Sequence, residues 1–173
     1  MLTAFPQLRA AANVVLMNDS MLGPFASIAP IIEQSQATDC DVWGLVDSNQ
    51  RSPHFQSHFV GYRGGVLTDA PLVHFWSNIR LQPTKETMIK RYERGLHPLL
   101  QRVGYRLGVG FPWQSVVANG RNPTIMGWRR LLEFGFPWVK RELLWKPYPL
   151  LTDAADIKAV VQQRFGEDIT GWV

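Results

Sequence analysis

Residues 13–25 read NVVLMNDSMLGPF: a short apolar run, Val14 to Met17, that breaks into Asn18-Asp19-Ser20 and then a Gly-Pro pair. The run is too short for a helix and its composition predicts a buried strand. A second segment, CDVWGLVDS at 40–48, repeats the pattern and ends on Asp47. Two apolar strands that each finish on an acid point to an open α/β sheet, in which ligands gather beyond the carboxyl ends of the strands.

Working outward, HFQSHFVGYRGGVL at 54–67 alternates as one strand, with Phe55, Ser57 and Phe59 on one side and Gln56, His58 and Val60 on the other. Gly64-Gly65 breaks it. Between the first two strands, Phe25, Ile28, Ile31 and Ile32 recur at near-helical spacing around Pro30. From residue 69 the pattern turns helical. Asp69 is a candidate N-cap with Pro71 in the first turn, and Thr84 to Gly104 reads as a long amphipathic helix kinked near Pro98. YRLGVGFPW at 105–113 suits a short strand or an extended arm. Asn122, Pro123 and Gly135 bracket a further helix, 136–149 reads as a short helix between prolines, and Ile157, Val160, Val161 and Phe165 mark a closing one. The expected fold class is α/β in a single domain over 1–173, strand-rich through residue 68 and mainly helical over 69–173.

The formal charge of +4 is uneven. Residues 1–75 carry three Lys/Arg against six Asp/Glu, and residues 76–173 carry fifteen against eight. A basic second half suits an anionic partner, but the cations are interleaved with apolar residues as on solvated helix faces, and no nucleic-acid motif accompanies them. No nucleic acid is expected as a partner. The single cysteine, Cys40, excludes an internal disulfide, and no apolar run reaches the ~18–20 residues of a membrane span. A cytoplasmic location is expected. The segment WRRLLEFGFPWVKRELLW at 128–145 reads either as core helices with charged outer faces or as a peripheral element at a membrane surface.

Several side chains are of the type that carries chemistry. Asn18, Asp19 and Ser20 offer oxygen ligands in a tight turn, suited to Mg²⁺ or Mn²⁺ shared with a phosphate, or simply to capping the next helix. His54, Gln56 and Ser57 can hydrogen-bond hydroxyl-rich ligands. Glu93 is either an ion-paired helix carboxylate or a general base. Lys140 and Arg141 form a solvated edge or a pair that neutralises a diphosphate. Dinucleotide-fold, P-loop and hydrolase-elbow signatures are all missing from the sequence.

In order, VVLMNDSMLGPF, CDVWGLVDS, HFQSHFVGYRGGVL, FWSNI, IKRYERGL and NPTIMGWRRLLEFGFPWVKRELL resemble the rhamnan synthesis protein F family of bacterial polysaccharide glycosyltransferases. The resemblance covers residues 13–172. It implies a partial GT-A-like sheet and transfer of a sugar, rhamnose in the first instance, from a nucleotide-sugar donor to a polysaccharide or lipid-linked glycan such as O-antigen lipopolysaccharide. It assigns Asn18 and Asp19 to the donor or a divalent cation. His54, Gln56 and Ser57, with Asp47 at its strand end, fall to sugar or acceptor contact, and Glu93 to the base. It also implies a nucleotide-binding half ahead of the acidic motif. Since that motif stands here at residue 18, the half is expected from a partner chain or a longer chain. The other expectation is a non-catalytic carbohydrate-binding or assembly module on the same fold.

Overall fold

A computed structural model describes residue 2 and residues 4–172. Its main sheet has β1 (Asn13–Met17) at one edge, followed by β5 (Phe59–Arg63) and then β3 (Val42–Ser48). A two-stranded ribbon pairs β2 (Met21–Leu22) with β7 (Val139–Lys140), and β4 (His54–Phe55) extends the far end of β3. β6 (Leu107–Phe111) lies along the other side of β3 and runs parallel to it. Since β5 is antiparallel to both of its neighbours, β1, β3 and β6 all point the same way and their carboxyl ends share one end of the sheet.

The fold is therefore mixed α/β, but strands do not precede helices as the sequence pattern predicts. β6 enters the sheet from residue 107, and its company makes β3 a central strand, which suits the unbroken apolar run of Val42 to Val46. Gly108 and Gly110 admit it: a Cβ on either would lie 2.9 and 2.7 Å from the ring of Trp43. Conversely, β1 is an edge strand and not a buried one, with Val15 and Met17 40% and 54% exposed.

The segment 54–63 is not one strand. Phe55 faces Asp47 while Val60 faces Gly44, so five steps on one side match three on the other. Two surplus residues are accommodated between β4 and β5, a bulge that frees Gln56, Ser57 and His58 from strict alternation.

Helices close both faces. α1 (Ala29–Ala37) carries Pro30 in its first turn, where a missing N–H costs nothing. α2 (Ala70–Ser77) follows Asp69, but the Asp69 carboxylate takes the Tyr105 hydroxyl at 2.6 Å and leaves the helix end uncapped. α3 (Lys85–Met88) is capped by the Thr84 hydroxyl, which accepts the Thr87 N–H at 3.2 Å. It passes through a π-turn at Ile89–Glu93 into α4 (Arg94–Val103), which stops at left-handed Gly104.

α5 (Trp113–Val116) follows β6. The helix predicted from Asn122 is split at Gly127 into α6 (Pro123–Met126) and α7 (Trp128–Glu133), and a Cβ at that glycine would stand 2.3 Å from Val116 Cγ1. Residues 139–144 form β7 and a 3₁₀ turn in place of the expected helix. α8 (Ile157–Phe165) closes the described chain.

Val42, Val60, Tyr62, Leu72 and Leu100 pack on the α2/α4 side of the sheet, and Trp43, Leu45, Phe59, Leu131 and Trp138 on the other. A third cluster, with Trp128, Leu132, Val139, Ile157 and Val161, ties the ribbon to α7 and α8. Within 128–145, Trp128, Leu131, Leu132, Phe136, Trp138, Val139 and Leu143 are all buried in these cores. Phe134 and Trp145 of the same segment are exposed. Among the described residues no helix is long and apolar enough to cross a membrane.

Candidate functional site

A cleft of about 450 Å³ opens where the bulge, the turn after β1, the π-turn and the ribbon meet. Seven of the ten residues singled out in the sequence line it: Asn18, Ser20, His54, Gln56, Ser57, Glu93 and Lys140. They come from four separate stretches of chain, and the bulge contributes most directly. Without its surplus residues, Gln56 and Ser57 would be forced to opposite faces of the sheet.

Glu93 stands at the end of the π-turn, a local widening of the helix that is frequent at functional sites. Its Oε2 accepts the Ser57 backbone N–H at 3.0 Å and also the Ser57 hydroxyl. Oε1 is left facing His54 Nε2 at 3.6 Å. His54 is buried, and its Nδ1 donates to the Ser52 carbonyl at 2.7 Å, so Nε2 bears a proton only in the charged ring. Asn18 extends the chain of contacts: its Nδ2 donates to Ser57 Oγ at 3.3 Å, while its Oδ1 accepts the Ser20 N–H and hydroxyl at 3.0 and 2.6 Å.

Three buried polar atoms of cleft-lining residues, Gln56 Oε1, His58 Nε2 and Arg94 Nε, have no partner among the described residues. Gln56 donates through Nε2 to Asn122 Oδ1 at 2.9 Å, an oxygen that also caps α6 through the Thr124 N–H at 3.1 Å. Burial, assisted by the Lys140 charge, pushes His58 down to about 3, so its ring is neutral at ordinary pH. Unsatisfied buried polar atoms carry a cost that a hydroxyl-bearing ligand would relieve.

The lining is also rich in cations. Arg51, Lys85, Arg94, Lys140 and Lys146 line the cleft against Glu86, Glu93 and Glu142. Three of the lysines surround Glu142, with Lys140 3.5 Å from Oε1, and Lys85 and Lys146 3.6 and 3.9 Å from Oε2. Burial alone would raise the Glu142 carboxyl. Lys140, the Tyr148 hydroxyl, Lys85 and Lys146 together outweigh it and hold it below the usual carboxylate range. Arg51 pairs with Glu86, whose carboxyl is lowered by that contact.

Asp19, Asp47 and Arg141 lie outside the lining. The Asp19 side chain is exposed, and only its backbone carbonyl is engaged, by Arg141 Nη1 at 3.5 Å. Asp47 accepts the Trp113 N–H at 2.6 Å and so fixes the first turn of α5, and burial pushes its carboxyl up despite that bond. The Arg141 backbone N–H donates to the Ser20 carbonyl at 3.0 Å, which carries the β2–β7 pairing on to the turn. Among the described residues, no three His, Cys, Asp or Glu side chains converge as a metal site. The donor set at Asn18-Asp19 is one carboxylate outside the cleft and an amide oxygen already shared by two donors, so these residues do not fit a divalent cation bridging to a ligand in the cleft.

Sequence reasoning misses Lys85, Arg94, Asn122, Glu142, Lys146 and Tyr148. Each looks in isolation like a helix-surface or capping residue, and only the tertiary fold brings them to one cleft, with Lys85 of α3 reaching Glu142 in the 3₁₀ turn after β7. KREL at 140–143 is the one local sign, two cations beside an acid.

No solved structure matches this chain. It is 28% identical over 161 residues to virulence protein VirA of Vibrio anguillarum, covering 76% of this chain and 51% of that protein. It is 21% identical over 126 residues to the uncharacterized protein y4gN of Sinorhizobium fredii, covering 70% of this chain and 33% of that protein. The chain thus spans about half or less of the length of these relatives. The family model of rhamnan synthesis protein F matches residues 2–164, nearly the whole sequence, and the chain belongs to that family.

Proposed function

We propose that the chain is a glycosyltransferase, or the acceptor-side portion of one, of GT-A type. On this reading it moves a sugar, rhamnose in the first instance, from a nucleoside-diphosphate donor to a growing bacterial surface polysaccharide. Family membership supports a part in polysaccharide synthesis. The observation that carries the catalytic reading is one cleft that holds both a carboxylate oxygen without a hydrogen-bond donor, Glu93 Oε1, and a surplus of cations.

Those are the two groups that sugar transfer needs. The acceptor oxygen forms a bond to the anomeric carbon as the bond from that carbon to the donor phosphate breaks. Glu93 takes the acceptor proton, and the cations of the lining take the charge that develops on the leaving diphosphate. Ser57 fixes the carboxylate, while Gln56 and His54 shape the sugar side of the cleft. On this reading the chain acts in the cytoplasm, where it meets a lipid-linked acceptor at the membrane face. On this reading the rest of the donor site is supplied by a partner chain or by a longer chain.

A second reading, a carbohydrate-binding or assembly module without catalysis, is favoured by the unpartnered Gln56 Oε1 and His58 Nε2, which suit hydroxyl groups of either a donor or a glycan. Calorimetric titration with dTDP-rhamnose and a panel of UDP- and GDP-sugars, with and without Mn²⁺, separates the two. Saturable donor binding is the expected result. A folded sample that binds rhamnose oligosaccharides and no nucleotide sugar would leave only the second reading.

A further inference from the structure

Resting on the transferase reading, we infer that Lys85, Lys140 and Lys146, gathered around Glu142, are the diphosphate subsite of the cleft and hold that group without a bridging divalent cation.

Three features carry this. The first is charge. Glu142 offsets one of the three ammonium groups, Arg94 adds a guanidinium with no carboxylate within 4 Å among the described residues, Glu93 contributes one further negative charge to the cleft, and Glu86 is occupied by Arg51. The local excess is positive and suits a group that carries two negative charges when bound as an ester.

The second feature is unused donor capacity. The Lys–Glu142 separations, 3.5 to 3.9 Å, exceed the ~2.7–2.9 Å of a charge-assisted hydrogen bond. Each ammonium has three N–H donors, so most of them remain free for phosphate oxygens. Glu142 is the fixed point of the group: its side chain is 16% exposed, while those of Lys85 and Lys146 are 76% and 57% exposed. The carboxylate holds three cations near one place without saturating any of them.

The third feature is the misfit of the metal alternative. The strand-end acid Asp19 lies outside the cleft, and the neighbouring amide oxygen of Asn18 is taken by Ser20. In the transfer step the electron pair of the breaking bond stays on the diphosphate oxygen, and N–H groups of the lysines receive that charge. No further reactant is required.

The test is calorimetry on the whole chain with inorganic pyrophosphate, UDP and dTDP, first in EDTA and then in Mn²⁺. Pyrophosphate and both nucleotides are expected to bind in EDTA with little change on adding Mn²⁺. Tighter binding of the nucleotides than of pyrophosphate would identify the natural source as a nucleoside diphosphate, whereas equal binding would identify a phosphate site alone. The Lys85→Met/Lys146→Met variant changes two largely exposed side chains, so its melting temperature should match wild type while pyrophosphate affinity falls about tenfold or more. Lys140→Met, at a less exposed position, should shift affinity in the same direction.

Binding that requires Mn²⁺, unaltered affinity in the double variant, or no binding of any of the three compounds would overturn the inference. The two readings fail separately. Donor sugars that bind only with Mn²⁺ would sink the lysine subsite and leave the transferase intact. Metal-free nucleotide binding with no sugar transfer to any acceptor, from the assembled full-length system, would do the reverse.

Discussion

Glu93 Oε2 accepts the backbone N–H of Ser57 at 3.0 Å, joining the helical layer to the bulge of the sheet through one carboxylate. An amide oxygen can accept the same bond, so Glu93→Gln should keep the geometry and lose only the proton acceptor. We expect the variant to melt within a few degrees of wild type and to bind nucleotide sugar normally. Transfer to acceptor should fall roughly 10²–10⁴-fold, the usual span for a positioned base. Turnover at the wild-type rate would remove Glu93 from the chemistry.

His58 makes stability depend on pH. Its folded value is depressed to about 3 from 6.5, so between those limits the unfolded chain binds the extra proton. This contribution to stability is complete above pH 6.5 and is lost as the pH falls. Acidification from pH 7 to 5 should cost about 2 kcal/mol through this residue. The decisive measurement is the urea midpoint across that range for wild type and His58→Gln, with a clearly flatter profile expected in the variant. Parallel profiles would show that the ring does not titrate this way.

Gly44 lets the ring of Phe55 lie across β3. A Cβ there would stand 2.2 Å from Phe55 Cδ1, and Phe55 is itself buried. Gly44→Ala should therefore destabilise the fold by about 1–3 kcal/mol in urea denaturation. Displacement of Phe55 also moves its neighbour His54, so ligand affinity in the cleft should drop as well. Phe55→Leu in the same chain makes room for the methyl group and should recover part of both losses. If the double variant is worse than the sum of its parts, the clash has been misassigned.

How much of the fold is legible in the sequence depends on the range of the interactions involved. The caps at Thr84 and Asn122 and the stop at Gly104 are settled within a few residues, and they stand where local chemistry predicts them. β3 is legible from its uninterrupted apolar composition. The parallel pairing of Leu107 with Val42 is not, since no local signal tells which strand receives a segment more than sixty residues away. The bulge escapes because no Gly or Pro within 54–60 marks it. Its break in register is visible only against the partner strand. Likewise Lys85 and Glu142 read as ordinary surface residues until the fold brings α3 and the 3₁₀ turn after β7 within reach of one another. The candidate residues on the bulge and the π-turn are legible as types, while the strand-end acids Asp19 and Asp47 are drawn from a sheet pattern that places them beside the cleft and not in it.

The two surplus residues between β4 and β5 have a further consequence. A chain two residues shorter there could zip β3 and its partner into one continuous ladder, with more cross-strand bonds and a firmer sheet. It would have nothing left over with which to reach Glu93 or line the cleft. The polar floor is thus carried on slack in the backbone, and shortening that slack trades binding for rigidity.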